Sequence, residues 1–276
     1  MIQDIRQVLA GARDGGTPIV FGHRGCAAVA LENTLDAFAR ARADGVPGVE
    51  LDVQLARDGT IVVHHDRDLR RLGGQEVPIA EVSAHELAEL PLSDGKRGLS
   101  ATGVPTLEAV IETLGPEIYV DIEIKSYADT PVSIADLLVA MIVRLGIASR
   151  VFISSFDPRR IRDFHRAWHR EVLPAGGTEP PCAAIYADVE EVPWMLRRGA
   201  GMILGGCSIR KPSWRDIVST DGEESHGVSR PLRGTVIPWT VNDGAVARTL
   251  RNAGVAGLIG DDPVMLREAL EESRPD

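Results

Sequence analysis

Short apolar runs alternate with helical patterns along the whole sequence. Eight runs are rich in strand-forming residues, and each is followed by a helix-like segment or by the chain end; they cover residues 18–22, 48–53, 118–124, 151–154, 182–186, 202–204, 236–241 and 257–260. Strands that alternate with helices predict parallel βα units. Eight such units in 276 residues predict an α/β fold, a closed (β/α)8 TIM barrel. An open doubly wound sheet is the alternative, because the pattern does not give the order of the strands in space.

The helix after the first run has clear end signals. Asn33 is predicted as its N-cap and Gly45 as its C-terminal stop. The segment "TLEAVIETLG" repeats this arrangement, with Thr106 at the start and Gly115 at the end. Both segments are therefore predicted to pack as amphipathic helices against the strands.

Two regions are longer than a bare barrel requires. Asp58-Gly59 between two β-rich runs predicts a hairpin, so that the chain doubles back before it reaches His64 and His65. Residues 67–105 are then a small excursion with one short helix around 84–90, and residues 208–234 form a second irregular stretch. We expect residues 1–276 to form a single barrel domain with this excursion inserted after the second strand.

Composition narrows the class of protein. The formal net charge of −10 and the isoelectric point near 5.2 argue against a nucleic-acid partner, which requires a basic face. The three cysteines are far apart in sequence, which favours a reduced, cytoplasmic protein. No stretch approaches the apolar length that spans a membrane, so stable membrane insertion is not expected.

Acidic side chains recur near the ends of two predicted strands. In "GVELDV", Glu50 and Asp52 are two positions apart and share one face of a strand. In "YVDIEIK", the acids again alternate with apolar residues, and the helix-facing side of a barrel strand must be apolar, so they point inward. Two adjacent carboxylates repel unless a cation lies between them, which predicts an oxygen-rich site for Ca²⁺ or Mg²⁺; a solvated polar face is the alternative. Glu123 is the best third ligand, Lys125 is placed at the rim as a cation for phosphate, and Asp121 is expected deeper, in an internal ion pair.

Histidines follow two of the strands. His23 ends the first strand and His65 ends the hairpin return, so both are expected at one mouth of the barrel, where they could divide general acid and general base work. Arg24 is a candidate anion contact, and Gly22 and Gly25 are predicted to let the backbone approach a bound phosphate. Trp239 is predicted either as a wall of the substrate pocket or as a core residue.

The ordered set of motifs resembles the glycerophosphodiester phosphodiesterase family. "HRG", "ENTLDAF", "ELDVQLARDGTIVVHHD", "DIEIK", "SSFD", "PWTVND" and "GDDP" follow one another in the family's order over residues 19–263. The resemblance implies a TIM-barrel enzyme that hydrolyses glycerophosphodiesters to glycerol 3-phosphate and an alcohol with a divalent cation, commonly Ca²⁺ or Mg²⁺. Its expected partner is therefore a small-molecule glycerophosphodiester. Three positions depart from the family pattern: Gly22, Leu31 and Gly260.

The resemblance also implies roles for individual residues. His23 and His65 match the acid–base pair, Arg24 and Lys125 match phosphate contacts, and Glu50, Asp52 and Glu123 match metal ligands. Glu32 and Asn33 belong to the "ENT" signature that supports the substrate site, and Trp239 matches an aromatic wall of the pocket.

Two other functions remain open at the level of the sequence. One is a lysophospholipase D that acts on lysolipids, and the other is a non-catalytic binder of phosphate metabolites. The sequence does not decide which histidine is the acid, whether water or the substrate's own hydroxyl attacks, which alcohol leaves, which metal is used, or the oligomeric state.

Overall fold

The strands form a barrel and place alternate side chains on opposite faces, one packed against the helices and the other facing the barrel interior. The computed structural model describes residues 2–95, 97–127, 132–220, 226–228 and 231–271. The strands are β1 (Ile19–His23), β2 (Gly48–Leu55), β3 (Ile61–Val63), β4 (Pro91–Ser93), β5 (Ser100–Thr102), β6 (Tyr119–Ile124), β7 (Val151–Ser155), β8 (Cys182–Tyr186), β9 (Ile209–Pro212), β10 (Val218–Thr220), β11 (His226–Val228), β12 (Thr235–Val236) and β13 (Gly257–Gly260). The helices are α1 (Ile5–Arg13), α2 (Leu35–Ala43), α3 (Arg70–Gly73), α4 (Ala84–Ala88), α5 (Leu107–Leu114), α6 (Ile134–Leu145), α7 (Pro158–Glu171), α8 (Gly201–Gly205), α9 (Gly244–Asn252) and α10 (Pro263–Glu271).

Eight of these strands run parallel and nearly close into a barrel. Their order is β12, β9, β8, β7, β6, β2, β1 and β13. The seam between β12 and β13 is spanned by backbone hydrogen bonds, among them Ala256 N–H to Val236 O at 2.9 Å and Ile259 N–H to Pro238 O at 3.0 Å. The predicted TIM barrel is thus confirmed, and the open doubly wound alternative is excluded.

The period of two in each strand separates the apolar layer from the site. Val49, Leu51 and Val53 of β2 belong to the apolar cluster that strands form with the surrounding helices. The residues between them, Glu50 and Asp52, therefore face the barrel interior. Near the strand starts, a second cluster fills the interior with aromatic and aliphatic side chains and is covered by Ile5 and Leu9 of α1.

The sixth barrel strand differs from the predicted one. Residues 202–204 belong to α8, where Ile203 is 89% exposed, and the strand is β9. A run of three apolar residues does not distinguish a helix from a strand. β9 lacks the apolar pattern expected of a barrel strand, because one of its inward-facing residues is the charged Lys211, which is buried inside the barrel. The seventh strand is also shorter than predicted, since Pro238 lacks the N–H that a regular ladder requires.

The excursion after β2 has its own apolar cluster. The predicted hairpin is confirmed by the antiparallel pairing of β2 with β3, and the predicted short helix is α4. Side chains of the excursion, among them Leu69, Leu72, Ile79 and Leu87, pack together outside the barrel core. The second irregular stretch contains β9, β10 and β11, while residues 221–225 and 229–230 lie outside the described residues. No helix within the described ranges has the length and apolar character that a bilayer span requires.

Candidate active site

Three carboxylates meet inside the carboxyl-terminal mouth of the barrel. Glu50 and Asp52 come from β2, Glu123 comes from the adjacent β6, and Asp52 is paired in register with Glu123. One ligand oxygen of each lies within 4.8 Å of the others, and the three residues are only 3%, 1% and 7% exposed. The predicted convergence of these acids on one point is therefore observed.

The electrostatics of this cluster are suited to a cation. Burial and the neighbouring Asp52 carboxylate raise the pKa of Glu50 well above its ordinary value. Burial also acts on Asp52, but the Lys125 and Arg24 cations outweigh it and hold the pKa of Asp52 well below its ordinary value. Asp52 Oδ1 is buried and accepts no hydrogen bond from the described residues, although the Lys125 ammonium lies 3.0 Å away. An all-oxygen donor set that includes a buried oxygen without a hydrogen bond from the described residues fits a hard divalent cation.

His23 is held at the end of β1 by a distant carboxylate. Its Nδ1 lies 2.6 Å from Asp261 Oδ1, and Asn242 in turn donates to Asp261 Oδ2 at 2.6 Å. The other ring nitrogen, Nε2, is 4.0 Å from Glu50 Oε2. Burial lowers the pKa of His23 although Asp261 acts in the opposite direction, so the ring is neutral near neutral pH.

His65 lines the same cavity as His23 and has its own carboxylate partner. Its Nδ1 lies 2.8 Å from Asp66 Oδ1. His64, the preceding residue, is buried and points elsewhere, with Nε2 3.3 Å from the carbonyl oxygen of Asp68. The hairpin return therefore delivers one of its two adjacent histidines to the cavity.

Two cations lie beside the acidic cluster. Arg24 pairs with Glu32 at 2.5 Å and lies 3.3 Å from Asp52, while Lys125 pairs with Glu123 at 2.7 Å. The backbone N–H of Arg24 also donates to Glu50 Oε2 at 3.2 Å. The carboxylates outweigh the burial of both cations and raise the pKa of each, so both stay charged.

The loop around Arg24 is closely packed against itself and against α2. A Cβ at Gly25, which has a φ of 91°, would lie 2.8 Å from the backbone of Ala37, and a Cβ at Gly22 would collide with the carbonyl oxygen of Gly25. The structure thus supplies a packing reason for both glycines. Arg24 itself has a φ of 53°, a costly conformation for a residue with a side chain.

The remaining predicted residues surround the site in different ways. Asn33 is not the N-cap of α2, since Thr34 caps this helix; Asn33 has a φ of 55° and donates to Asp52 Oδ2 at 2.8 Å. The Glu32 carboxylate lies between two arginines. Trp239 lines the cavity, meets Phe156 edge-on at 5.6 Å between ring centres, and donates from Nε1 to a backbone carbonyl.

Sequence reasoning missed a lysine at the bottom of the cavity. Lys211 Nζ lies 2.5 Å from Asp121 Oδ2 and 3.1 Å from Ser154 Oγ, and all three side chains are buried. The internal ion pair predicted for Asp121 is present, but its partner was not foreseen because β9 was not recognised as a strand. Asp66 and Asp261 lie within the motifs "HHD" and "GDDP". These motifs indicate that both residues lie near the site, but they do not show which side chains the two carboxylates contact.

Barrels of this architecture carry their catalytic groups at the carboxyl-terminal mouth, and here that mouth holds two histidines, two cations and an acidic cluster. Fold and site together define a barrel enzyme of phosphate-ester hydrolysis. A sequence profile of the glycerophosphoryl diester phosphodiesterase family matches residues 23–186. The chain belongs to this family, which is a family of phosphoric diester hydrolases.

Relatives match nearly the full length of the chain. The glycerophosphodiester phosphodiesterase of Caldanaerobacter subterraneus subsp. tengcongensis is 31% identical over 254 residues, which cover 90% of this chain and 96% of the relative. The probable glycerophosphodiester phosphodiesterase 2 of Mycobacterium tuberculosis is 28% identical over 276 residues, covering 93% of this chain and 96% of the relative.

Solved structures share the fold. The putative glycerophosphoryl diester phosphodiesterase of Silicibacter pomeroyi has a TM-score of 0.74 at 24% identity, covering 96% of this chain and 97% of that chain. A phosphodiesterase of Oleispira antarctica, described in complex with the product sn-glycerol-3-phosphate, has a TM-score of 0.67 at 21% identity, covering 92% of this chain and 97% of that chain.

Proposed function

We propose that this chain hydrolyses glycerophosphodiesters to glycerol 3-phosphate and an alcohol, with a divalent cation and two histidines as the acid–base pair. One observation carries the proposal: Glu50, Asp52 and Glu123 converge beside a cavity that His23 and His65 both line. Family membership supports the substrate class, and the Oleispira neighbour's complex with sn-glycerol-3-phosphate supports the product.

Glu50, Asp52 and Glu123 would hold the cation. The cluster offers carboxylate oxygens and no nitrogen or sulfur, which favours Ca²⁺ or Mg²⁺ over zinc. When bound, the cation supplies Lewis-acid stabilisation of the charge on the phosphoryl oxygens.

Arg24 and Lys125 bind and orient the phosphodiester. Both are charged and lie next to the acidic cluster, so a phosphoryl oxygen placed there meets fixed positive charge that needs no reorganisation. Asn33 holds Asp52, and Glu32 holds Arg24, so these two residues support the site from the loop before α2. Trp239, braced by Phe156, forms the wall against which the glycerol moiety is placed.

His23 and His65 transfer the protons. Asp261 and Asp66 occupy their Nδ1 atoms, and within the described part of the chain neither Nε2 makes a hydrogen bond, so Nε2 of each ring is available for the reaction. One histidine deprotonates the attacking hydroxyl, which belongs to water or to the substrate's glycerol, and the other protonates the leaving alkoxide. The assignment of the two roles is open in this scheme.

A substrate panel crossed with metals tests the proposal. The protein is stripped with a chelator, and release of glycerol 3-phosphate from several glycerophosphodiesters is measured with no addition, with Ca²⁺ and with Mg²⁺. We expect release from at least one diester only when a cation is added. Hydrolysis of a long-chain lysolipid in preference to its deacylated headgroup would instead assign a lysophospholipase D.

A histidine variant separates catalysis from simple binding. His23→Ala is expected to lower kcat at least about 100-fold, the loss typical of a general acid or base. His85→Ala, which changes an exposed histidine on α4, is the matched control and should retain full activity. Hydrolysis that survives His23→Ala unchanged would contradict the acid–base role and support a non-catalytic binder with a contaminating activity.

A further inference from the structure

One guanidinium of the excursion joins two carboxylates from different parts of the site. Arg71 on α3 donates from Nε to Asp66 Oδ2 at 2.6 Å. Its two terminal nitrogens donate to the two oxygens of Glu32 at 2.8 and 2.7 Å. All three guanidinium nitrogens are engaged, and the bidentate pair with Glu32 fixes orientation as well as supplying attraction.

Each of these carboxylates also holds a side chain that the proposed reaction uses. Asp66 Oδ1 is paired with His65 Nδ1 at 2.8 Å, and Glu32 Oε1 accepts from Arg24 at 2.5 Å. The result is one continuous chain of charged hydrogen bonds, which runs through His65, Asp66, Arg71, Glu32 and Arg24. A proton-transfer candidate lies at one end and a phosphate-binding candidate at the other.

Both carboxylates stay ionised in this arrangement. Burial alone would raise the pKa of Glu32, whose side chain is 12% exposed, but Arg71 and Arg24 outweigh it and lower this pKa to about 2. Burial of Asp66 is likewise outweighed by His65 and Arg71, which lower its pKa. The hydrogen bonds of the chain are therefore charge-assisted, which makes them shorter and stronger than neutral ones.

We infer that Arg71 is a positioning residue, which fixes His65 through Asp66 and Arg24 through Glu32. The inference rests on the proposed function. Asp66 uses one oxygen for His65, and Arg71 takes up the other, so that the carboxylate cannot rotate away from the ring. Because the same guanidinium clamps Glu32, the ring and Arg24 keep a fixed spacing across the cavity.

Replacement of Arg71 tests the inference against a neighbour on the same helix. Arg71→Gln is expected to lower kcat by about 10- to 100-fold, the loss typical when an outer-shell partner or a small displacement disturbs a reacting group. Arg71→Lys keeps the charge but not the fork, and should recover only part of the loss. Arg70→Gln is the matched control, because Arg70 is 63% exposed and pairs at the surface with Asp68 and Glu76; its kcat and KM should equal those of the parent.

The chain of hydrogen bonds has two branches from Arg71, one through Asp66 to His65 and one through Glu32 to Arg24. Separate variants of the two carboxylates show whether Arg71 acts through both branches. Asp66→Asn weakens the His65 branch and should lower kcat, whereas Glu32→Gln frees Arg24 and should mainly raise KM. In the Glu32→Gln/Asp66→Asn background, addition of Arg71→Gln should change neither constant by more than about twofold, because the effects of residues in one network are not additive.

Two readouts do not depend on turnover. Nitrogen NMR at a pH where the ring is neutral reports the tautomer of His65, which Arg71→Gln should convert from a single form to a mixture. Calorimetry with glycerol 3-phosphate should show weaker binding to Arg71→Gln than to Arg70→Gln. If the parent protein hydrolyses no glycerophosphodiester, the proposed function fails while the tautomer still tests Arg71. The inference is overturned if Arg71→Gln retains the His65 tautomer and the kinetic constants of the parent. It is also overturned if the losses of Arg71→Gln in kcat and in binding disappear at a lower temperature, at which the variant is fully folded.

Discussion

Both candidate histidines are held at Nδ1 by a carboxylate, although the carboxylates come from unrelated positions. Asp66 follows His65 directly, whereas Asp261 lies 238 positions from His23. A carboxylate at Nδ1 fixes the tautomer whose Nε2 accepts a proton, and it stabilises the ring after protonation. The two rings are thus held in the same way at Nδ1, and in the proposed mechanism the orientation of the substrate would decide which one acts as the acid.

The leaving group of the substrate can assign the two histidines. A nitrophenolate leaves without protonation, so a variant that lacks the general acid should hydrolyse a glycerophospho-p-nitrophenyl ester at least about 10-fold better, relative to parent, than an alkyl ester. We expect this pattern for one of His23→Ala and His65→Ala and not for the other. Equal losses of both variants on both esters would contradict a division of acid and base work.

The face of the barrel on which a side chain lies can be predicted from the sequence when it depends only on the alternation of residues along one strand. Glu50, Asp52 and Glu123 alternate with apolar residues, so the period of two is sufficient to assign them to the inner face. Arg71 could not be predicted in this way. Its partners Glu32 and Asp66 meet it only after the excursion folds back over the loop before α2, and no local pattern encodes this meeting.

At the level of elements, β9 shows where a pattern of polarity misleads. Ile209 and Lys211 both point into the barrel, and the lysine is as buried as the isoleucine. A charge in such a place is tolerated because Asp121 on β6 supplies an opposite charge and Ser154 on β7 a further hydrogen bond. Asp121 lies on a strand distant in sequence from Lys211, so no local pattern shows that the lysine is paired. Lys211 therefore looks like a surface residue, and β9 is not recognised as a strand.

Removal of the Lys211 ammonium group should show how far the stability of the fold depends on the pairing with Asp121. Lys211→Met leaves a buried carboxylate without its partner and should lower the free energy of unfolding by about 3–5 kcal/mol. Asp121→Asn in the same chain removes the unpaired charge, so the double variant should lose less than the sum of the two single losses. Urea denaturation of all four proteins measures the coupling, and additive losses would mean that the pair contributes nothing as a pair.

Helix α7 carries a second group whose charge is coupled to folding. The Glu179 carboxylate, 2.7 Å from His165 Nδ1, raises the pKa of His165 above 6.5, and partial burial opposes it. The folded state therefore favours the protonated ring, and this stabilisation is complete below the unfolded pKa and disappears as pH rises through the folded pKa.

Denaturation at two pH values tests this coupling. Between about pH 6 and about pH 9, the parent should lose about 1 kcal/mol more unfolding free energy than His165→Gln does. His169→Gln is the control, because His169 lies farther from Glu179, at 3.3 Å, and is more exposed; it should retain the dependence of the parent. The same pH slope in His165→Gln and in the parent would contradict the assignment.

At the scale of the whole molecule, a cation held by the acidic cluster would couple cation binding to folding. The proposed cation would be held only by the folded protein, where it would relieve the repulsion between the neighbouring Glu50 and Asp52 carboxyl groups, and it would therefore stabilise the fold. Ca²⁺ or Mg²⁺ at about 100 times its Kd should add about 2.7 kcal/mol to the unfolding free energy.

Thermal denaturation with and without the cation measures this effect. Glu123→Gln should abolish most of the rise in Tm, whereas Glu112→Gln, which removes an exposed carboxylate on α5, should leave it intact. An equal rise in Tm for both variants would show that the cation binds elsewhere.

The contact between His23 and Asp261 has a consequence for how the protein is made. β1 is among the first strands to leave the ribosome, yet its neighbour β13 is the last strand of the barrel, and the imidazole partner follows it directly. Because domains acquire their long-range contacts only after both partners are synthesised, the nascent chain must hold β1 unpaired on one side for most of translation. A chain interrupted before residue 261 lacks the carboxylate that holds His23, so incomplete synthesis yields a protein in which this ring has lost its partner.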